Sequence, residues 1–130
     1  MTTIAGPVLL VGCGKMGGAL LGGWISSGLK PTDVVVVEPA EALAQATRDD
    51  HGVAVVSQLD HVDAQFAPRI VVLAVKPQVM DDVVPPYGRF AGPDTVYLSI
   101  AAGKSISYLE RCLGDGAAIV RSMPNTPAAV

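Results

Sequence analysis

The chain has 130 residues, half of them hydrophobic, with two cysteines, 5% aromatic residues and a net charge of -3. That length and apolar content suit one domain that buries about two thirds of its unfolded surface without disulfides. The acidic balance and the shortage of aromatic rings exclude the basic footprint and stacking platform that nucleic-acid binding needs.

Met1 to Pro7 carries no Lys or Arg, and the apolar run after it is broken by Gly12, Gly14, Gly17 and Gly18, so neither a signal peptide nor a membrane span is expected. Val8 to Val11 is the first strand. Met16, Leu20, Leu21, Trp24 and Ile25 then recur at helical spacing, with Gly28 placed to cap the end. Val34 to Val37 is a second strand, followed by a helix over Ala40 to Asp50 with Leu43 and Ala44 facing inward and Arg48, Asp49 and Asp50 in solvent. Val53 to Val56 is a third strand, and the stretch from Gln58 to Pro68 is ambiguous. Ile70 to Val75 is a fourth, after which Pro77 suits a first helical position and Pro85-Pro86 ends that short helix. Val96 to Ile100 is a fifth strand, Ser107-Tyr108-Leu109-Glu110 has capping-box spacing for another helix, and Ala117 to Val120 is a sixth strand. Several of these strands are continuously apolar, as strands covered on both faces must be. The expected fold is therefore α/β: a doubly wound, mainly parallel Rossmann-type sheet with helices on both faces, in one domain over residues 1–130 with no internal repeat or linker.

Gly12-Cys13-Gly14-Lys15-Met16-Gly17 follows the first strand directly and opens the first helix, the context in which Gly-x-Gly-x-x-Gly counts as a dinucleotide fingerprint. Gly12 permits a tight turn, Gly14 lets backbone approach a pyrophosphate, Gly17 lets the helix pack on the sheet, and the helix N-terminus attracts the anion. No Gly-Lys-Ser/Thr ends the loop, which removes nucleoside triphosphatase and kinase readings. Glu38 ends the second strand 21 residues after Gly17, where a carboxylate accepts hydrogen bonds from ribose hydroxyls and repels a 2′-phosphate. That position favours NADH. Ala74-Val75-Lys76-Pro77 closes the fourth strand, where Lys76 either meets a ribose hydroxyl or phosphate or is simply exposed. Ser99-Ile100-Ala101-Ala102-Gly103 closes the fifth strand with small residues, which serve packing as readily as a closely approaching nicotinamide.

Val120-Arg121-Ser122-Met123-Pro124-Asn125-Thr126-Pro127 follows the sixth strand with two prolines three apart. Each locks its own φ and extends the residue before it, so the Asn125 side chain is held in place, whether as a positioning loop or as ordinary Asn-Thr-Pro turn chemistry. Cys13 and Cys112 form no Cys-x-x-Cys pair, which fits a reduced cytoplasmic compartment, and Cys13 reads as filler rather than nucleophile. His51 and His61 lie away from the predicted strand ends and read as surface residues, and no metal site is expected.

The segments GCGKMGGAL (residues 12–20), AVKP (74–77), SIAAG (99–103) and VRSMPNTPA (120–128), in that order, resemble pyrroline-5-carboxylate reductases over nearly the whole chain. The resemblance implies a Rossmann domain that binds NADPH or NADH through Val11 to Met16 (Val11, Gly12, Cys13, Gly14, Lys15, Met16), Ala74 to Pro77 (Ala74, Val75, Lys76, Pro77) and Ile100 to Ala102. It implies hydride transfer to the C=N bond of 1-pyrroline-5-carboxylate, giving L-proline. Met123, Pro124, Asn125 and Thr126 are then substrate-proximal, with Asn125 an orienting hydrogen-bonder rather than a dedicated acid or base. It further implies a second, all-helical domain that completes the substrate pocket and mediates dimerisation. That domain is absent from these 130 residues, so a homo-oligomer is expected only together with it. Glu38 departs from the smaller or more polar residues that many NADPH-preferring members place there. Other two-domain Rossmann reductases, such as 3-hydroxyacid dehydrogenases and deazaflavin-dependent NADP reductases, are the nearest alternatives, and the Met-Pro-Asn-Thr-Pro loop speaks against them. A stand-alone NAD(P)-binding module without catalysis is the alternative from a different class.

Overall fold

The computed structural model describes residues 6–12, 14–100, 105–114 and 116–121, with Lys15 and Met16 described by backbone alone. These residues form one sheet of six parallel strands: β1 (Val8–Val11), β2 (Val34–Val37), β3 (Ala54–Val56), β4 (Ile70–Leu73), β5 (Val96–Ser99) and β6 (Ala118–Arg121). Their order across the sheet is β3-β2-β1-β4-β5-β6. Helices α1 (Gly14–Ser26), α2 (Glu41–His51), α3 (Met80–Val83) and α4 (Ile106–Leu113) follow β1, β2, β4 and β5, and a 3-10 helix runs over Pro85–Phe90. This is the doubly wound Rossmann-type sheet expected from the apolar runs. The chain winds outward from β1 to β3 and then crosses back to β4 on the other side of β1. That reversal opens a crevice at the carboxyl ends of β1 and β4.

Alternate residues of β1 feed two cores, because successive strand side chains point to opposite faces. Val8 and Leu10 join Leu21 of α1 and Ala44 of α2, whereas Leu9 and Val11 join Met80 of α3, Tyr87, and Leu109 and Leu113 of α4. All four β1 residues are buried, and each leucine so buried contributes about 2 kcal/mol. The end of α1 is closed by two hydrogen bonds, from Gly28 N–H to the Ile25 carbonyl (3.1 Å) and from Leu29 N–H to the Trp24 carbonyl (3.0 Å), so Gly28 caps the helix as expected. No described helix is long and apolar enough to cross a membrane.

Several local expectations shift. The cap of α4 is Ser105, whose hydroxyl accepts from Tyr108 N–H at 3.0 Å; Ser107 lies inside the first turn, and Tyr108 rather than a Glu or Gln stands where a capping box needs an acceptor. The fourth strand stops at Leu73, two residues early, because the chain turns at Lys76-Pro77 into a 3-10 turn (Pro77–Val79), and Pro77 has no N–H with which to continue a ladder. The ambiguous stretch holds a short 3-10 turn, Leu59–His61. Helix α3 stops just before Pro85-Pro86, as expected, and the two prolines start the 3-10 helix. Arg48 is not simply solvated: its guanidinium reaches the Glu41 carboxylate at 3.3 Å and the Val55 carbonyl at 3.1 Å, tying α2 to β3. Leu43 is not inward either. It is 44% exposed, whereas Ala44 beside it is buried.

The far side of the sheet is pinned by Tyr97, fully buried on β5, whose hydroxyl donates to the Tyr87 carbonyl at 2.6 Å. Replacing Tyr97 by Phe removes this buried hydrogen bond and is expected to cost about 1 kcal/mol at pH 7. Burial pushes the hydroxyls of both Tyr97 and Tyr87 from the ordinary 10.0 up to about 12. Folded-state values raised in this way give stability that is present below pH 10 and is lost as pH rises toward about 12. Urea titrations at pH 7, 10 and 11 check both points: Tyr97→Phe should start less stable and lose less on going alkaline, and equal alkaline slopes in the two proteins would contradict the assignment.

Candidate functional site

The carboxyl end of β1 turns immediately. Gly12 donates its N–H to the Val37 carbonyl at 2.8 Å and takes φ +81°, a region that side chains rarely adopt. A Cβ there would also stand 3.0 Å from Val75 Cγ1 and 3.1 Å from the Ala74 carbonyl oxygen, so β1 and the end of β4 meet with no room for a side chain. One turn later, a Cβ on Gly17 would lie 3.2 Å from the Gly12 carbonyl oxygen and 3.6 Å from Ala74 Cβ; its absence lets α1 rest on the turn. Gly14 differs. Nothing lies within 4 Å of where its Cβ would be, so the backbone at the start of α1 faces open space. The first turn of α1 carries no acidic side chain, which leaves its N-terminal dipole uncompensated and suited to an anion.

That space belongs to a cleft of about 640 Å³ at the carboxyl ends of β1 to β4. Val11, Gly12, Gly14, Glu38, Ala74, Val75 and Lys76 all line it, so one groove joins three of the segments singled out from sequence. Glu38 is not a solvated strand end. It is 7% exposed, its N–H continues the sheet to the Val56 carbonyl (2.9 Å), and its Oε2 accepts from Ala40 N–H at 3.0 Å ahead of α2. This bond fixes the carboxylate at the wall of the cleft. Lys76 is exposed, and it is the single cation among the described lining residues. It stands at the end of β4, two strands from Glu38 and so about 10 Å away by strand spacing.

Some expected residues fall elsewhere. Ile100 closes β5, its N–H on the Leu73 carbonyl at 3.2 Å, and does not line the cleft; Pro77 turns away into the 3-10 turn. Cys13, Ala101, Ala102, Met123, Pro124, Asn125 and Thr126 lie outside the described residues, as do the side chains of Lys15 and Met16. His51 is half-buried rather than on the surface, because a Cβ on Gly22 of α1 would come within 3.3 Å of its Cε1. Sequence reasoning missed the other wall: Pro39 and Leu43 from the start of α2, Ser57 to Asp60 beyond β3, and Val79, Val83 and Tyr87. For Ser57 the signal was present, since it directly follows a strand whose carboxyl end must open on the crevice. For Leu43 there was none, because an exposed leucine on a helix reads as core until its neighbours are known.

A long apolar groove with a glycine cradle and a helix N-terminus at its middle, a buried carboxylate at one end and a lysine toward the other, fits an extended dinucleotide. A 2′-phosphate near Glu38 would face a like charge, and the single cation among the described lining residues, Lys76, stands two strands away.

Comparison with known proteins agrees with that geometry. The pyrroline-5-carboxylate reductase of Escherichia coli strain K12 is 40% identical over 121 residues, covering 92% of this chain and 44% of its own length. The chain thus spans under half the length of the curated relatives it matches. A solved pyrroline-5-carboxylate reductase from Coxiella burnetii superposes with a TM-score of 0.81 at 27% identity, over 95% of this chain and 46% of that one. The Plasmodium falciparum pyrroline carboxylate reductase, solved with NADP bound, superposes with a TM-score of 0.73 at 26% identity, over 92% of this chain and 42% of that one. Residues 7–103, from the start of β1 through the end of β5, match the family described as NADP oxidoreductase, coenzyme F420-dependent, and the chain belongs to that family.

Proposed function

We propose that the chain is the NAD(P)H-binding domain of a pyrroline-5-carboxylate reductase, which transfers hydride to the cyclic C=N bond of 1-pyrroline-5-carboxylate to give L-proline. The observation that carries this reading is the open backbone at Gly14, set between β1 and α1 at the switch point of the sheet, in a chain 40% identical to such an enzyme. In this reading Val11 to Gly17 hold the pyrophosphate, Glu38 takes the adenosine ribose, and Ala74 to Lys76 with Ala101 and Ala102 border the nicotinamide. Met123 to Thr126 face the substrate, and the Asn125 amide orients it. The reduced nicotinamide, when bound, supplies the hydride. The protein's own contribution is to place the imine carbon against it, to neutralise the substrate carboxylate with donors, and to keep water out.

The finer features belong to the same proposal. A helical domain, corresponding to the part of the relatives this chain does not match, builds the second wall of the substrate pocket and the dimer interface. The protein works in the cytoplasm on a small imino acid.

Three measurements test this. Gly14→Val fills the space above the start of α1 and is expected to weaken NADH binding at least about tenfold, or 1.4 kcal/mol; unchanged affinity by calorimetry in a folded variant would move the site elsewhere. Glu38→Ser should improve NADPH relative to NADH by about 1 to 2 kcal/mol, the scale of relieving a partly screened charge clash. Tighter binding of NADPH than NADH by the unmodified chain would reverse that assignment. Finally, the 130-residue chain alone should oxidise NADH or NADPH with 1-pyrroline-5-carboxylate far more slowly than an intact relative, because near-attack positioning supplies several kcal/mol of barrier lowering, up to about 7 to 11. Comparable turnover in a spectrophotometric assay would place a complete active site in this domain.

A further inference from the structure

The end of the cleft beside Glu38 carries a built polar corner. Because Glu38 N–H bonds the Val56 carbonyl, Ser57 is the first residue past the last rung between β2 and β3, and Ser57 and Gln58 both line the cleft. Behind them the chain tightens into the 3-10 turn Leu59–His61, closed by His61 N–H on the Gln58 carbonyl at 3.0 Å. The imidazole of His61 then reaches back to both rim side chains: Nδ1 lies 3.2 Å from Ser57 Oγ, and Nε2 lies 3.5 Å from Gln58 Nε2. His61 itself does not line the cleft. With the Gln58 amide nitrogen toward the ring, the arrangement that satisfies all three groups is a neutral imidazole. Nδ1–H donates to Ser57 Oγ, and Nε2 accepts from the Gln58 amide. The Ser57 O–H is then left to donate to a ligand in the cleft. In the same cleft, Pro39 and the 44%-exposed Leu43 offer an apolar surface for a flat ring.

We propose that His61 is a positioning residue for the adenosine half of the cofactor, holding the Ser57 hydroxyl and the Gln58 amide on the rim of the cleft beside Glu38. The inference rests on the dinucleotide reading of the cleft. It differs from that reading in assigning work to an exposed histidine outside the cleft wall, and it confines the effect to one end of the ligand. Adenine and its ribose meet the corner, whereas the nicotinamide half lies across the glycine turn, beyond β1. Loss of the imidazole frees two side chains that must then be ordered by the ligand, and ordering them costs affinity.

The test compares binding of NADH, ADP-ribose and nicotinamide mononucleotide to the unmodified 130-residue chain, His61→Ala and His61→Asn by calorimetry, with thermal unfolding as the control for folding. His61→Ala should weaken NADH and ADP-ribose alike by about 3- to 10-fold, the scale of one hydrogen bond, and leave nicotinamide mononucleotide unchanged. His61→Asn, which keeps a donor near the position of Nδ1–H, should recover part of the loss. Ser57→Ala should weaken the same two ligands and make the further loss of His61 smaller than additive. Unchanged NADH and ADP-ribose affinity in folded His61→Ala would overturn the inference while leaving the dinucleotide site intact. An equal loss for all three ligands would overturn it too, by making the role a general structural one. Failure of the unmodified chain to bind NADH or ADP-ribose would instead overturn the reading of the cleft, and this inference with it.

Discussion

The constraint on which the cleft depends is the meeting of two backbones, where the turn after β1 passes the end of β4. A Cβ at Gly12 would sit 3.0 Å from Val75 and 3.1 Å from the Ala74 carbonyl oxygen, and one at Gly17 would press on Gly12 itself. Leaving out both side chains lets β1, β4 and the start of α1 converge at one point. Everything about the cleft follows from that convergence. It aims the N-terminus of α1 across the carboxyl edge of the sheet, leaves the backbone at Gly14 bare, and sets the groove at the reversal in strand order. Bulk at either position would lift the helix from the strands and separate the two halves of the cleft.

Charge along the groove is as uneven as its shape. Glu38 is held by the Ala40 N–H and nearly buried, so its carboxylate is a fixed feature of the wall rather than a mobile surface charge. Lys76 stands exposed on the far side of β1. Arg48, close to Glu38 in sequence, is committed to Glu41 and the Val55 carbonyl and serves to hold α2 on β3. A polar end at Glu38 and an apolar middle are thus supplied by different elements, and the Glu38 carboxylate is held by a bond within the chain. Such preorganisation lowers the ordering cost of binding.

The sheet is carried by packing on both faces. Alternate residues of β1 belong to different cores, and β5 is locked by the Tyr97 hydroxyl on the Tyr87 carbonyl. A slip of one residue in β1 would exchange the two sets of side chains between cores that differ in shape, which is why register and strand order hold together. A rigid sheet in turn keeps the glycine turn in place.

The strand-by-strand layout, the parallel sheet, the glycine turn and the place of Glu38 were legible in the residues, because continuous apolar runs, helical spacing and a glycine triplet after a strand each have few structural solutions. Strand ends shifted by a residue or two, since a ladder stops where its neighbour stops and not where β-branched residues run out. Leu43, Gln58 and the histidine behind them were not legible. Their role depends on the start of α2 and the turn after β3 being brought together at one edge of the sheet, through pairing of β2 with β3 that no local pattern encodes. The same holds for Ser105 rather than Ser107 as the cap of α4, where local spacing offers either serine. Local chemistry by itself determined which elements form and which turn must be bare; the tertiary structure decided which side chains face the cleft, because only the pairing of distant strands sets what stands opposite what.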